Sequence, residues 1–288
     1  MSVMPRRKER LKADLILLAV AVVWGSAFVV CRVAAERISP FLYNGSRFSL
    51  GVLTLVPFVW RRLPGLTHRE WWGGMLAGAL LFGGATLQQA GLQFTTAGKA
   101  GFITGLYVVL VPLFLTLVWW QWPRWSAWIA SLLAATGLFL LSAVEQLTLS
   151  YGDGLELAGA VMWALHVILI GRLAQRVDVL RLAWVQYLVC GVSSVLVGLM
   201  LEYQALADLP GVWWAVVYTG ALSVGLGYTL QVWGQRHSPP TDASIILSAE
   251  AVFAAFFGWL ILREVLTARQ VLGCGLMLSG MILAQVRS

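Results

Sequence analysis

Charge is scarce in this sequence. Of 288 residues, 13 are Asp or Glu and 20 are Lys or Arg, 11% in all, against 59% hydrophobic. A soluble domain carries about 25% charged residues, and a fold dissolved in water has no interior large enough to hide this much apolar surface. Cysteine is scarce too: Cys31, Cys190 and Cys274 stand singly in apolar stretches, without metal-ligand spacing or a disulfide framework, and read as packing residues. Long polar connections are missing, which excludes a soluble catalytic domain, and the absence of a G-x-x-x-x-G-K-[ST] pattern excludes a P-loop nucleotide site. Alternating apolar and polar decads are absent as well. Since only helices and closed barrels satisfy their backbones in lipid, a transmembrane barrel is excluded.

What is there is a series of apolar runs of about twenty residues, enough to cross about 30 Å of hydrocarbon at about 1.5 Å per helical residue. Ten spans are predicted, at 14–34, 40–60, 71–91, 97–120, 125–143, 153–173, 182–201, 213–233, 240–262 and 268–285. The fold class is therefore all-α integral membrane, with the lipid bilayer as its solvent. The first run is long and nine more follow, so it is expected to be an uncleaved helix and not a signal peptide.

Lys and Arg set the orientation, because basic residues stay on the cytoplasmic side. With "PRRKERLK" inside, fourteen of them flank the cytoplasmic ends and six, Arg32, Arg37, Arg47, Lys99, Arg263 and Arg269, fall on the other side. Both termini are expected to be cytoplasmic. The net charge of +7 is dispersed along membrane edges and forms no nucleic-acid surface.

The chain also repeats itself. "GATLQQAG" (84–91) and "GYTLQVWG" (227–234) share G-x-T-L-Q-x-x-G. Overlaying spans one to five on six to ten sets Trp24 on Trp163, Gln88 on Gln231 and Gly137 on Gly280. Five spans per half place the halves in opposite orientation, an inverted repeat able to exchange inward-open and outward-open shapes around one site. The two halves are taken as 1–147 and 148–288. Gln88 and Gln231 are then expected near opposite membrane faces, either as matched gating residues or as caps reaching interfacial water.

"VVWGSAFVV" (22–30), "SRF" (46–48), "TTAGKAGFITGLYVVLVPLF" (95–114) and "AEAVFAAFFGWLILREVLTARQVLGCGLMLSGMIL" (249–283) carry a resemblance to the ten-helix EamA-type carriers of the drug/metabolite transporter superfamily. Within it the chain looks most like bacterial exporters of amino acids, aromatic ones included. The resemblance implies a cytoplasmic-membrane transporter, not an enzyme, with no cofactor or metal. It implies a small-molecule substrate in a cavity lined by helices three, four, eight and nine, with helices five and ten peripheral. A monomer is the expectation for the oligomeric state. The usual Glu-Pro pair is Glu250-Ala251 here, while Pro112 is kept in the first half. A hinge is therefore expected at Pro112 in helix four, with helix nine straighter at Ala251.

Polar and aromatic groups near span centres are the candidate substrate-binding residues: Trp24, Phe82, Tyr107, Trp163, His166, Ser223, Tyr228, Ser248 and Glu250. Trp24 and Trp163 could clamp an apolar side chain from two sides. Trp163 and His166, three apart, share a helix face and could address one ligand; a buried histidine satisfied by a neighbour is the plainer reading. Glu250 is taken as the one acid near a span centre, as counter-charge for an ammonium group, proton carrier, or protonated carboxyl tied to a neighbouring helix. Arg47 could face a substrate carboxylate or serve as a structural tie. Lys99 and Glu264, near helix ends, reach water easily. A largely apolar cavity with aromatic walls follows from this set. The rivals kept open are efflux of cationic drugs, a channel, and a lipid-modifying enzyme using His166 and Glu250.

Overall fold

The computed structural model describes residues 7–95, 97–142, 150–263 and 265–286. Glu264 and the junction at 147/148 lie outside the described residues, as does the side chain of Lys99. The described residues form ten helical rods and no strand. They are α1 (Arg7–Ala35), α2 (Pro40–Val59), α3 (His68–Gly91), α4 (Ala97–Gly105 and Tyr107–Leu117) and α5 (Trp125–Leu141). The second five are α6 (Tyr151–Leu173), α7 (Val179–Leu201), α8 (Trp213–Tyr218, Thr219–Tyr228 and Thr229–Gln235), α9 (Pro240–Ser248 and Glu250–Leu262) and α10 (Ala268–Val286). Six stretches, in α1, α4, α6, α7, α8 and α9, are long and apolar enough to cross a membrane, and α5 and α10 are shorter apolar helices.

Helix starts are written locally. Thr67 and Ser150 open α3 and α6 with capping boxes: each hydroxyl accepts the N–H of an acid three residues on, Glu70 or Asp153, whose carboxylate accepts the cap's own N–H at 2.7 and 2.9 Å. Asp178 caps α7 through the N–H groups of Leu180 and Arg181.

The rods pair in a pattern that maps onto itself when the halves are exchanged. α5 lies along α10 and α2 along α7, while α3 packs on α6 as α8 packs on α1. The closest approaches repeat residue by residue. A β-carbon on Gly84 would stand 3.0 Å from the Trp163 ring, and one on Gly227 2.6 Å from Nε1 of Trp24. These are the pairs that the sequence overlay sets on one another. Gly91 meets Glu156 as Gly234 meets Leu17, and Gly137 meets Gly273 as Gly280 meets Ala130. Small residues permit these helices to touch along their backbones.

Three features depart from the sequence reading. α4 breaks at Leu106 and α9 at Ala249, so the hinge is not confined to helix four, and Ala251 lies just beyond a break, not in a straighter helix. The break in α4 is also not at Pro112, which lies inside the continuous segment Tyr107–Leu117, but at Leu106, six residues before it. In α9 the hydroxyls of Ser244 and Ser248 bond back to the carbonyls of Thr241 and Ile245, and the N–H of Ala249 reaches only to Ile246, three residues back. Such back-bonding bends a helix without proline. The third feature is the π-helical stretch Thr219–Tyr228 in α8, a form that hydrophobic periodicity does not reveal. Trp120 and Arg263, just past the ends of α4 and α9, take left-handed backbone with φ 54° and 56°.

At the end where α1 begins, Asp242 gathers the helix starts. Its carboxylate accepts from Arg10 of α1 and, at 3.3 Å, from Arg124 before α5. Arg62 pairs with Asp178 at 2.8 Å and Arg181 with Glu70 at 3.2 Å, joining α2, α3 and α7 at the same end.

Candidate functional site

Between the halves lies a cavity walled by Trp24 and Phe28 of α1, Arg47 of α2, Gln88 and Gln89 of α3, Thr104 and Tyr107 of α4, Trp163 of α6, Ser223, Tyr228 and Gln231 of α8, and Glu250 of α9. A second void adjoins it and shares Phe28, Gln88, Thr104 and Glu250; it continues past Ser248 and Ser142 to Gln270 and Arg32. The cavity thus draws on α1, α2 and α6 as well as the four expected helices, while α5 and α10 reach only the outer void.

The aromatic groups meet on Tyr228. Its ring lies 4.7 Å from Trp24 and stacks on Trp163 at 6.2 Å with planes 12° apart. The two tryptophans therefore face a protein side chain held between them, and they do not form an open clamp. Trp24 Nε1 donates to the carbonyl of Ser223 at 3.2 Å, inside the π-helical stretch. Tyr107 O–H reaches Glu250 Oε1 at 3.5 Å, the outer limit of a hydrogen bond. These are the residues on the far side of each helix break.

Other expectations are corrected. Phe82 turns away from the cavity and stacks on Phe41 at 6.0 Å, because it stands two residues before Gly84 and so on a different face of α3. His166 is fully buried behind Trp163, with Nε2 2.9 Å from Gln186 Oε1 of α7, and the cavity wall includes Trp163 but not His166. Ser248 lines the outer void only. Gln88 and Gln231, expected near opposite faces, wall one cavity. Gln231 stands three residues after Tyr228, and Gln88 four after Gly84, so both stay on the faces that cross the tryptophans. Besides Glu250 there is a second acid that the sequence reading passed over: Glu156, fully buried one turn inside the start of α6. The sequence held a signal for it, since Asp153, Glu156, Ala160 and Trp163 recur at helical spacing on one face.

The mainly apolar wall of the cavity is interrupted by charge, chiefly through Arg47. It is 5% exposed, donates from Nε to Asn44 Oδ1 at 2.9 Å, and lies 5.4 and 5.1 Å from the rings of Tyr43 and Phe48. Among the described residues no carboxylate pairs with it. A buried guanidinium is left facing a cavity whose other charged wall residue is the carboxyl of Glu250.

Such a site, an aromatic-walled cavity bearing a buried charge at the junction of two helical halves in a chain of apolar spans, defines a polytopic membrane carrier. The family model described as the EamA-like transporter family matches the chain twice, at residues 11–143 and 150–285. The chain belongs to that family. A protein of Archaeoglobus fulgidus named as an uncharacterized transporter is 32% identical over 283 residues, covering 97% of this chain and 87% of its own length. The transporter YoaV of Bacillus subtilis, also named as uncharacterized, is 24% identical over 94% of this chain and 96% of its own. A solved crystal structure superposes with a TM-score of 0.80 at 19% identity over 96% of this chain and 98% of that one, so the two share a fold. The protein is a membrane transporter and not an enzyme.

Proposed function

We propose that the chain exports amino acids with apolar or aromatic side chains, and related zwitterions, across the bacterial cytoplasmic membrane by alternating access of two inverted halves, 1–147 and 148–288. The observation that carries the substrate class is the pairing of opposite charges in one aromatic cavity. Arg47, without a carboxylate of its own, suits a substrate carboxylate, and Glu250, with only a long bond from Tyr107, suits an ammonium group. A lone guanidinium inside an enclosed site needs a counter-charge, and a zwitterion supplies one. Trp24, Trp163 and Tyr228 offer ring faces to the side chain. The aromatic part of the wall discriminates a methylene by only about 1–3 kcal/mol, so related side chains compete.

The reciprocal contacts Gly84–Trp163 and Gly227–Trp24, with the matched breaks at Leu106 and Ala249, support the inverted repeat and the rocking it permits. Gln88 and Gln231 act in this reading as matched polar positions on the two moving helices, and Pro112 loosens the one that bears Tyr107. The excess of basic residues at the end where α1 begins supports cytoplasmic termini.

The test is uptake and exchange by the full chain in proteoliposomes, with L-phenylalanine, L-tryptophan and L-leucine beside phenethylamine, which lacks the carboxylate, and phenylpropionate, which lacks the amine. Saturable exchange of the zwitterions, with Arg47→Gln raising KM, is expected. Preference for phenethylamine and for lipophilic cations would overturn the reading in favour of cationic-drug efflux, for which Glu250 and the tryptophans would supply charge and cation–π attraction. Flux that does not saturate would mark a channel.

A further inference from the structure

The cavity accounts for Glu250 but not for Glu156. This carboxyl is fully buried on α6, one turn inside the helix start. Oε2 is hydrogen-bonded to Thr104 Oγ1 of α4 at 2.6 Å, while Oε1 is buried with no partner and would stand 2.6 Å from a β-carbon on Gly91. The charged and titratable groups around it are few. Asp153, one turn earlier on α6, accepts from Thr95 at 2.5 Å. Arg32 of α1 is committed to Glu36 and to the Leu92 carbonyl. Lys99 of α4 has its side chain outside the described residues, and Glu250 of α9 faces the cavity, 3.5 Å from the Tyr107 hydroxyl. No cation pairs with Glu156 among the described residues.

Packing does not require an acid there. In the exchanged half, Gly234 takes the place of Gly91, and its partner is Leu17, whose Cδ2 would lie 2.7 Å from a β-carbon on the glycine. The breaks at Leu106 and Ala249 likewise set Thr104 on Leu247, and Leu17 and Leu247 belong to one apolar cluster. The position of Glu156 is thus filled by Leu17 in the other half, and that of Thr104 by Leu247, both within an apolar cluster. A carboxylate buried with one hydrogen bond and no cation costs several kcal/mol, so Glu156 holds a proton in this conformation. Thr104 also walls both voids and belongs to the α4 segment before the break. The break at Leu106 stands two residues after Thr104.

We propose that Glu156 is a proton-binding site of this transporter, loaded in the closed contact with Thr104 and emptied when α4 bends. The inference rests on the transport reading above for its consequence, that export is exchanged for protons, but not for the site itself. On loading, an O–H bond forms between a carboxylate oxygen and a proton delivered by water; on release that bond breaks and water in the opened cavity takes the proton.

Infrared difference spectra of the reconstituted full chain, recorded across a pH titration without substrate, test the site. The wild type is expected to show a reversibly titrating protonated-carboxyl band that Glu156→Gln loses and Glu250→Gln keeps. Thr104→Val is expected to shift its midpoint, and Thr104→Ser to restore it. An unchanged band set in Glu156→Gln overturns the proposal. If that variant is poorly folded, Glu156→Leu, which copies the other half, replaces it. A second measurement separates the two readings: accumulation of L-phenylalanine driven by a pH gradient is expected to be lost in Glu156→Gln, with exchange retained. Equal accumulation in wild type and variant overturns the coupling. Absence of L-phenylalanine transport by the wild type sinks the substrate reading alone, and the titrating band then stands or falls by itself.

Discussion

The junction of α3 with α6 and the junction of α8 with α1 are built to one plan and differ in chemistry. In each, a glycine admits a tryptophan and a second glycine two turns on admits a long side chain: Gly84 and Gly91 against Trp163 and Glu156, Gly227 and Gly234 against Trp24 and Leu17. What repeats is steric. What differs is polar: Glu156 of one junction meets Thr104 of α4, whereas Leu17 of the other stands in an apolar cluster. Arg47 follows the same rule, since the register of the α2–α7 contact, in which Gly45 meets Val195 as Gly191 meets Ser49, sets Arg47 on Ser193. Repeated contacts pack the two junctions alike, and unrepeated polar groups give the cavity its charge.

The largest expected effect comes from forcing the junctions to match in the wrong direction. Leu17→Glu places a carboxyl in an apolar cluster with no hydroxyl opposite and should destabilise the fold by at least about 3 kcal/mol, read as a fall in thermal midpoint of the detergent-solubilised chain. A stability equal to wild type would mean that the α8–α1 junction is wet, and the comparison would break. Next, Gly227→Ala and Gly84→Ala each press a methyl on an indole and should cost about 1–3 kcal/mol. Gly227→Ala should cost more, because its contact is 2.6 Å against 3.0 Å; the reverse order in chemical denaturation would show that Trp163 and not Trp24 is the rigid wall. The converse exchange, Glu156→Leu, should leave stability within about 1 kcal/mol of wild type or raise it, because an apolar side chain of similar volume replaces a poorly satisfied carboxyl.

The smallest effect concerns the helix starts outside the bilayer. Glu70 joins the start of α3 to the N–H of Asp178 at the start of α7, and Glu202 accepts the N–H groups of Phe41 and Leu42 at the start of α2. Burial pushes the Glu70 carboxyl up, but the N–H groups of Thr67 and Asp178, the Thr67 hydroxyl and Arg181 outweigh it and hold the carboxyl below its ordinary value of 4.5. Its contribution to stability is therefore complete above about pH 4.5 and is lost as the pH falls through the lower folded value. Glu70→Gln should flatten that acid limb of the thermal midpoint against pH; an unchanged limb would assign the slope to other carboxylates.

Much of this architecture is written locally in the chain. Runs of apolar residues define ten helices because each must bury its own backbone in hydrocarbon. Thr67 and Ser150 announce the starts of α3 and α6, and the two Gly-x-Thr-Leu-Gln stretches disclose the matched pair of crossings. Trp24, Tyr107, Trp163, Ser223, Tyr228 and Glu250 were legible as cavity residues because they are polar or aromatic groups far from span ends, where lipid gives them no partner. Phe82 and His166 satisfied the same rule and stand elsewhere, since depth in a span says nothing about which neighbour a face meets.

The tertiary structure alone decided the rest. The exposure of Arg47 to the cavity and the meeting of Glu156 with Thr104 depend on helices far apart in sequence. Hydropathy and periodicity report how one helix divides between lipid and protein. They do not report which two helices share a boundary, and the partner across that boundary decides whether a buried acid is paired, idle or holding a proton.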